Sequence, residues 1–145
     1  MLTLNKNRNK FNFSFNSELN TVKTALKDIN GFLSKSFPYI SPDLETELKL
    51  IFSELLCNAV IHGNKCDKSK SVNVYIEIIG NNIYSIIKDE GIGFDYYGLL
   101  NKFEDGKSSM FSESGRGIWL VYSLSDSLAF NIKGNEIKFL KKVVN

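Results

Sequence analysis

Glu54, Asn58 and His62 stand four residues apart in the stretch ELLCNAVIHGN, residues 54–64. On a helix that spacing makes one row of side chains. Leu44, Leu48, Ile51, Phe52, Leu55 and Ala59 recur around it at helical spacing, so the row borders a buried stripe and faces whatever lies between helix and core. Solvated helix faces favour Lys, Glu and Gln, whereas the Asn amide competes for backbone hydrogen bonds. An asparagine in this row points to a function; the alternative is that Asn58 merely frays the last turns before Gly63, which suits a left-handed helix cap. The row is not a metal site by itself. Three ligands on one helix face cannot surround an ion, and a single histidine in a last turn more simply meets the helix's carbonyl end.

Two glycine pairs carry the other chemistry. Asp89 shares strand parity with Ile83, Ser85 and Ile87, so it points to the buried side, where a carboxylate is costly without partners. It opens Asp89-Glu90-Gly91-Ile92-Gly93-Phe94, in which glycines two apart let the backbone turn tightly and approach a flat ligand. An ordinary turn at a strand end would look the same. The dinucleotide fingerprint is excluded, because its third glycine would fall at Tyr96. The second pair, Ser114-Gly115-Arg116-Gly117, precedes a helix whose free N–H groups favour phosphate oxygens, with Arg116 adding charge. Gly106-Lys107-Ser108 has the tail of a phosphate loop, but Asn101 stands where the first glycine belongs, and the match is set aside as chance.

The positioning elements follow from periodicity. Phe11, Phe13 and Phe15 alternate with polar residues, giving a strand over 10–16. Ser17 suits an N-cap for a helix carrying Leu19, Val22, Leu26, Ile29 and Leu33 and ending before Pro38. Ser41 caps the next helix, with Pro42 at its first position and Asp43 and Glu45 in its first turn, and this helix runs to about Gly63. Val72 to Ile78 and Ile83 to Lys88 form a hairpin about Gly80-Asn81-Asn82. Residues 94–114 show no clean periodicity beyond a short patch from Tyr96 to Phe103 and read as a mobile lid. A third helix follows to Leu124, then a last pair of strands with Leu128, Phe130 and Ile132 before the Gly134-Asn135 turn and Ile137 and Phe139 after it. The fold class is α+β: a two-layer sandwich of a mixed or antiparallel sheet with helices on one face.

At 145 residues, 43% hydrophobic, the chain is expected to be one domain over 1–145 with a sizeable core. Eighteen basic and 16 acidic residues are spread along it, for a net charge of +2, and nucleic acid is not an obvious partner. Residues 1–9, with Lys6 and Arg8, read as a flexible arm. Cys57 and Cys66 have no metal-ligand spacing, which favours reduced thiols in the cytoplasm. No apolar run reaches the ~20 residues of a membrane span, so a soluble protein without a membrane partner is expected.

The order of the motifs is more specific than any one of them: E-x-x-x-N on a helix, D-x-G-x-G after a strand, S-G-x-G opening a helix. Over about residues 10–142 this order resembles the GHKL or Bergerat ATP-binding fold of gyrase, histidine kinases and MutL. Within it, ELLCNAVIHG, DEGIGF and SGRGIWLVYSLSD are most similar to the small stand-alone anti-sigma-factor serine kinases. The resemblance implies ATP and Mg²⁺ as cofactors, with Asn58 as metal ligand and Glu54 as general base. Asp89 would accept from the adenine amino group, Gly91 and Gly93 would admit the base, and Ser114, Gly115, Arg116 and Gly117 would hold phosphates beneath the lid. Asn135 stands where the family usually has Thr after Gly and would contribute beside adenine. Implied partners are an anti-sigma-factor antagonist, phosphorylated on serine, a sigma factor, and a second copy in a homodimer. Two other readings stay open: a non-catalytic ATP-gated binding module, and a detached histidine-kinase-type ATPase domain.

Overall fold

The computed structural model describes residues 3–6, 9–104 and 113–143. Its elements are β1 (Thr3–Lys6), β2 (Lys10–Asn16), α1 (Leu19–Ser36), α2 (Pro42–Cys57), a π-helical turn (Asn58–Gly63), β3 (Ser71–Ile79), β4 (Asn82–Lys88), α3 (Tyr96–Glu104), α4 (Glu113–Leu124), β5 (Ser127–Phe130) and β6 (Glu136–Lys142). The strands form one sheet in the order β1-β2-β3-β4-β6-β5, and every neighbouring pair is antiparallel. Thr3–Lys6 pairs with Phe11–Ser14 as an edge strand, which corrects the expectation of a free arm for those residues.

Alternation decides which face is covered. Phe11, Phe13 and Phe15 of β2, Val72, Val74 and Ile76 of β3, Ile83 and Ile87 of β4, and Ile137 and Phe139 of β6 are buried in one apolar cluster with residues of α1, α2 and α4. β3 and β4 join through the tight turn at Gly80, whose φ of +61° lies in the left-handed region that glycine adopts without strain.

α2 begins as the sequence directs: Ser41 Oγ accepts from Leu44 N at 3.3 Å, with Pro42 at the first turn and Asp43 and Glu45 beside it. α1 does not. Its N-cap is Glu18, and the Ser17 hydroxyl, fully buried, accepts instead from Asn64 Nδ2 at 2.6 Å. Leu19, expected in the apolar stripe of α1, is 53% exposed, while Ala25 and Phe32 are buried. The stretch read as a structureless lid contains α3, a helix burying Tyr96, Leu99 and Phe103 at i, i+3 and i+7; the rest of that lid up to residue 112, including Gly106-Lys107-Ser108, lies outside the described residues. Ile132 is fully exposed in the loop after β5, outside any strand.

Candidate nucleotide-binding site

The α2 helix does not stop at Gly63 as a regular helix; from Asn58 it widens into a π turn. Such turns close hydrogen bonds one residue further along the chain and cluster at functional sites. Here Asn64 N donates to Ala59 O at 2.8 Å, and Lys65 and Cys66 then reverse the chain with φ of 55° and 57°. The widening also bends the expected row: Asn58 is buried, whereas His62, four residues on, is exposed.

Asn64 ties this reversal to the sheet. Fully buried, it donates through Nδ2 to Ser17 Oγ at 2.6 Å and Ser71 O at 2.9 Å, and through Oδ1 it accepts from Glu90 N at 2.7 Å. The last of these bonds holds the residue directly after Asp89. Asp89 itself directly follows β4 and is buried, as its parity predicts; its main-chain N–H donates to Asn135 O at 2.9 Å, and its Oδ1 accepts from Gly91 N at 2.8 Å. Burial pushes the Asp89 carboxyl above the usual carboxylate range, opposed by the Gly91 N–H and by the charges of Lys133 and Lys70.

The glycines of this segment serve the protein's own backbone. A Cβ on Gly91 would strike the Gly63 carbonyl, and one on Gly63 would strike the Asp89 carboxylate, so the π turn and the segment after β4 touch only because both lack side chains there. Gly93, with φ of +96°, packs in the same way against the Lys133 carbonyl.

Between these parts lies a cavity of about 280 Å³. Asn58, Gly63, Asp89, Gly93, Phe94 and Tyr96 line it, with His62 and Lys65 also at its wall. Asn58 Nδ2 donates to Tyr96 Oη at 2.8 Å, and Oδ1 is engaged with no described residue. The Tyr96 hydroxyl titrates at about 12, raised by burial against the opposing Asn58 hydrogen bond, with the Asp89 charge a further raising influence. Among the described residues no group of three His, Cys, Asp or Glu side chains could hold a metal.

The structure therefore brings Asn58, Asp89 and Gly93 to one cavity. Glu54 lies one turn earlier on α2, its carboxylate so close to Gly117 of α4 that a Cβ there would strike Oε2. That carboxylate makes no ion pair with a described residue. Gly115 is buried and Arg116 exposed in the first turns of α4; the Ser114 side chain lies outside the described residues. Asn135, expected at the cofactor, stands behind Asp89: Nδ2 donates to Asp89 O at 3.1 Å, and Oδ1 accepts from Asn131 Nδ2 at 2.7 Å. Asn131 in turn accepts through Oδ1 from the N–H groups of Gly134, Asn135 and Glu136 and so shapes the loop. Tyr96, Asn64 and Asn131 carry this architecture without a motif to announce them; the one signal for Asn131 and Asn64 is an Asn beside a glycine turn.

A 280 Å³ cavity with one buried carboxylate acceptor and Lys65 at its wall suits an amino-bearing heterocycle carrying an anionic tail. Comparison with known proteins gives the same class. The family model of the histidine kinase-like ATPase domain matches residues 15–141. An anti-sigma F factor of Clostridium perfringens is 27% identical, covering 93% of this chain and 97% of the relative. A serine-protein kinase RsbW of Bacillus licheniformis is 30% identical, over 81% of this chain and 74% of the relative. An anti-sigma F factor of Anoxybacillus flavithermus is 26% identical over 89% and 87%. With sheet order, cavity and match in agreement over nearly the whole chain, the protein belongs to the histidine kinase-like ATPase domain family, the GHKL fold, and carries its ATP-binding domain.

Proposed function

We propose that this chain is a protein serine kinase that transfers the γ-phosphoryl group of ATP to an antagonist protein and, in its other state, binds a sigma factor. Support comes from the names of its relatives, anti-sigma F factor and serine-protein kinase, over most of the chain. The observation that carries the catalytic half is Glu54, a carboxylate without an ion-pair partner among the described residues, held against Gly117, one turn in from the α4 start that would receive phosphates.

In this reading Asp89 accepts from the adenine amino group, and the Asn64 and Asn135 bonds to its flanking backbone hold it in place. The residues fit a magnesium ion: Asn58 keeps its amide nitrogen on Tyr96 and offers one neutral oxygen, the sparse protein ligation that Mg²⁺ accepts alongside water and phosphate. When bound, the ion would neutralise charge on the phosphates. Glu54 takes the proton of the substrate serine as its oxygen attacks the γ-phosphorus and the bond to the ADP oxygen breaks. No helix among the described residues is long and apolar enough to cross a membrane, and a cytoplasmic, dimeric regulator is the setting we propose.

Incubation with labelled ATP and candidate antagonist proteins tests the reading. Glu54→Gln keeps shape and hydrogen-bonding reach, so ATP affinity should stay within a few-fold, while transfer should fall by roughly 10² to 10⁴-fold, or about 3 to 5 kcal/mol of barrier. Equal transfer by both proteins removes Glu54 as the base. The second reading, an ATP-gated binding module, draws on Asn135, which replaces the usual hydroxyl and turns its amide to the Asp89 backbone; ATP binding without transfer to any antagonist would favour it.

A further inference from the structure

Tyr96 opens α3, and its position is set by aromatic residues far from α2 in sequence. Its ring stacks on Phe130 with centroids 4.4 Å apart and planes within 10°, and it lies 5.0 Å from Phe94. Its backbone is equally constrained: Tyr96 N donates to Phe94 O at 3.0 Å, and Phe94 N donates to Gly134 O at 3.1 Å. The hydroxyl that emerges from this packing is the one acceptor that Asn58 Nδ2 has among the described residues.

An asparagine amide has two ends of similar size and opposite polarity, and a hard cation takes only the oxygen. Giving that oxygen to a cation turns the NH₂ end back into the protein. Asn58 is only 8% exposed, so the NH₂ group would stand there without a partner if no acceptor faced it. We infer that Tyr96 is a positioning residue for divalent-cation binding: its hydroxyl accepts the Asn58 amide hydrogen and thereby holds Oδ1 toward the cavity. The inference rests on the ATP site proposed above and assigns its cation dependence to a residue outside the three motifs. It also links the cation to α3, since the residue that orients the ligand is the first of that helix.

Calorimetric titration of the whole chain with ATP, in EDTA and with Mg²⁺, tests it on wild type and Tyr96→Phe. Phenylalanine keeps the ring on Phe130 and removes only the oxygen. The gain in ATP affinity on adding Mg²⁺, the ratio of the two affinities, should fall roughly 5- to 30-fold, the effect of one buried hydrogen bond. Equal Mg²⁺-dependent affinities for wild type and Tyr96→Phe overturn the inference and leave the ATP site standing. An equal loss with and without Mg²⁺ also overturns it, making Tyr96 part of the pocket's general packing. Wild-type protein that binds ATP but gains nothing from Mg²⁺ removes Asn58 as a ligand, and the inference falls with that reading.

Discussion

Asn64→Ala is the substitution with the most direct consequences for both fold and site. It deletes a fully buried amide that makes three hydrogen bonds, to Ser17 Oγ, Ser71 O and Glu90 N, at 2.6, 2.9 and 2.7 Å. Each such bond contributes about 1 kcal/mol net, and partners left buried without a replacement raise the loss, so about 3 kcal/mol is expected. For a chain of 145 residues the unfolding entropy is about 0.3 kcal/mol/K, which converts that loss to a fall in Tm of about 10 °C. Thermal denaturation followed by circular dichroism reads it. ATP affinity should weaken as well at a temperature where the variant remains folded, because the freed Glu90 N–H no longer holds the residue next to Asp89. A fall in Tm of less than about 2 °C would refute the reasoning, showing that water or local rearrangement replaces all three bonds.

Asn58→Ala should abolish Mg²⁺-dependent ATP binding while leaving a folded protein, since its main loss to the fold is the single bond to Tyr96; calorimetry beside a melting curve separates the two effects. ATP should bind better than GTP by at least about 1 to 3 kcal/mol, because a buried Asp89 would face a guanine carbonyl as acceptor against acceptor; equal affinities would remove Asp89 from base recognition. Asp89→Asn should be more stable than wild type at neutral pH. The folded carboxyl lies above its ordinary value of 3.8, so the native state binds the extra proton and wild-type stability falls as pH rises through that window; the asparagine variant lacks this slope, and melting curves from pH 3 upward on the order of one pH unit apart show it. Gly117→Ala should keep or slightly raise Tm, by up to about 1 kcal/mol of helix propensity, yet lose phosphoryl transfer, because the new methyl displaces the flexible Glu54 carboxylate; unchanged transfer would detach Gly117 from the site.

The sequence by itself determined the parts of this protein that depend on local periodicity. Alternating Phe11, Phe13 and Phe15, the stripe from Leu48 of α2 to Ala59 of the π turn and the parity that buries Asp89 are all consequences of side-chain spacing, and each reappears in the core or at the cavity. The order of the three motifs sufficed for the family as well, which the match over residues 15–141 bears out. Contacts between segments distant in sequence left no such trace. Ser17 looks like a helix cap until Asn64, 47 residues away, takes its hydroxyl. Tyr96 looks like one apolar residue of a weak patch until β5 brings Phe130 beneath it and α2 brings Asn58 to its hydroxyl, 38 residues apart in sequence. The glycines of the DEGIGF segment show the same division: a ligand could explain them, but the Gly63 and Lys133 carbonyls already occupy the space a side chain would need. Only the tertiary structure decides such cases, since whether a donor meets an acceptor, or a Cβ meets a carbonyl, depends on which distant backbone arrives at that point.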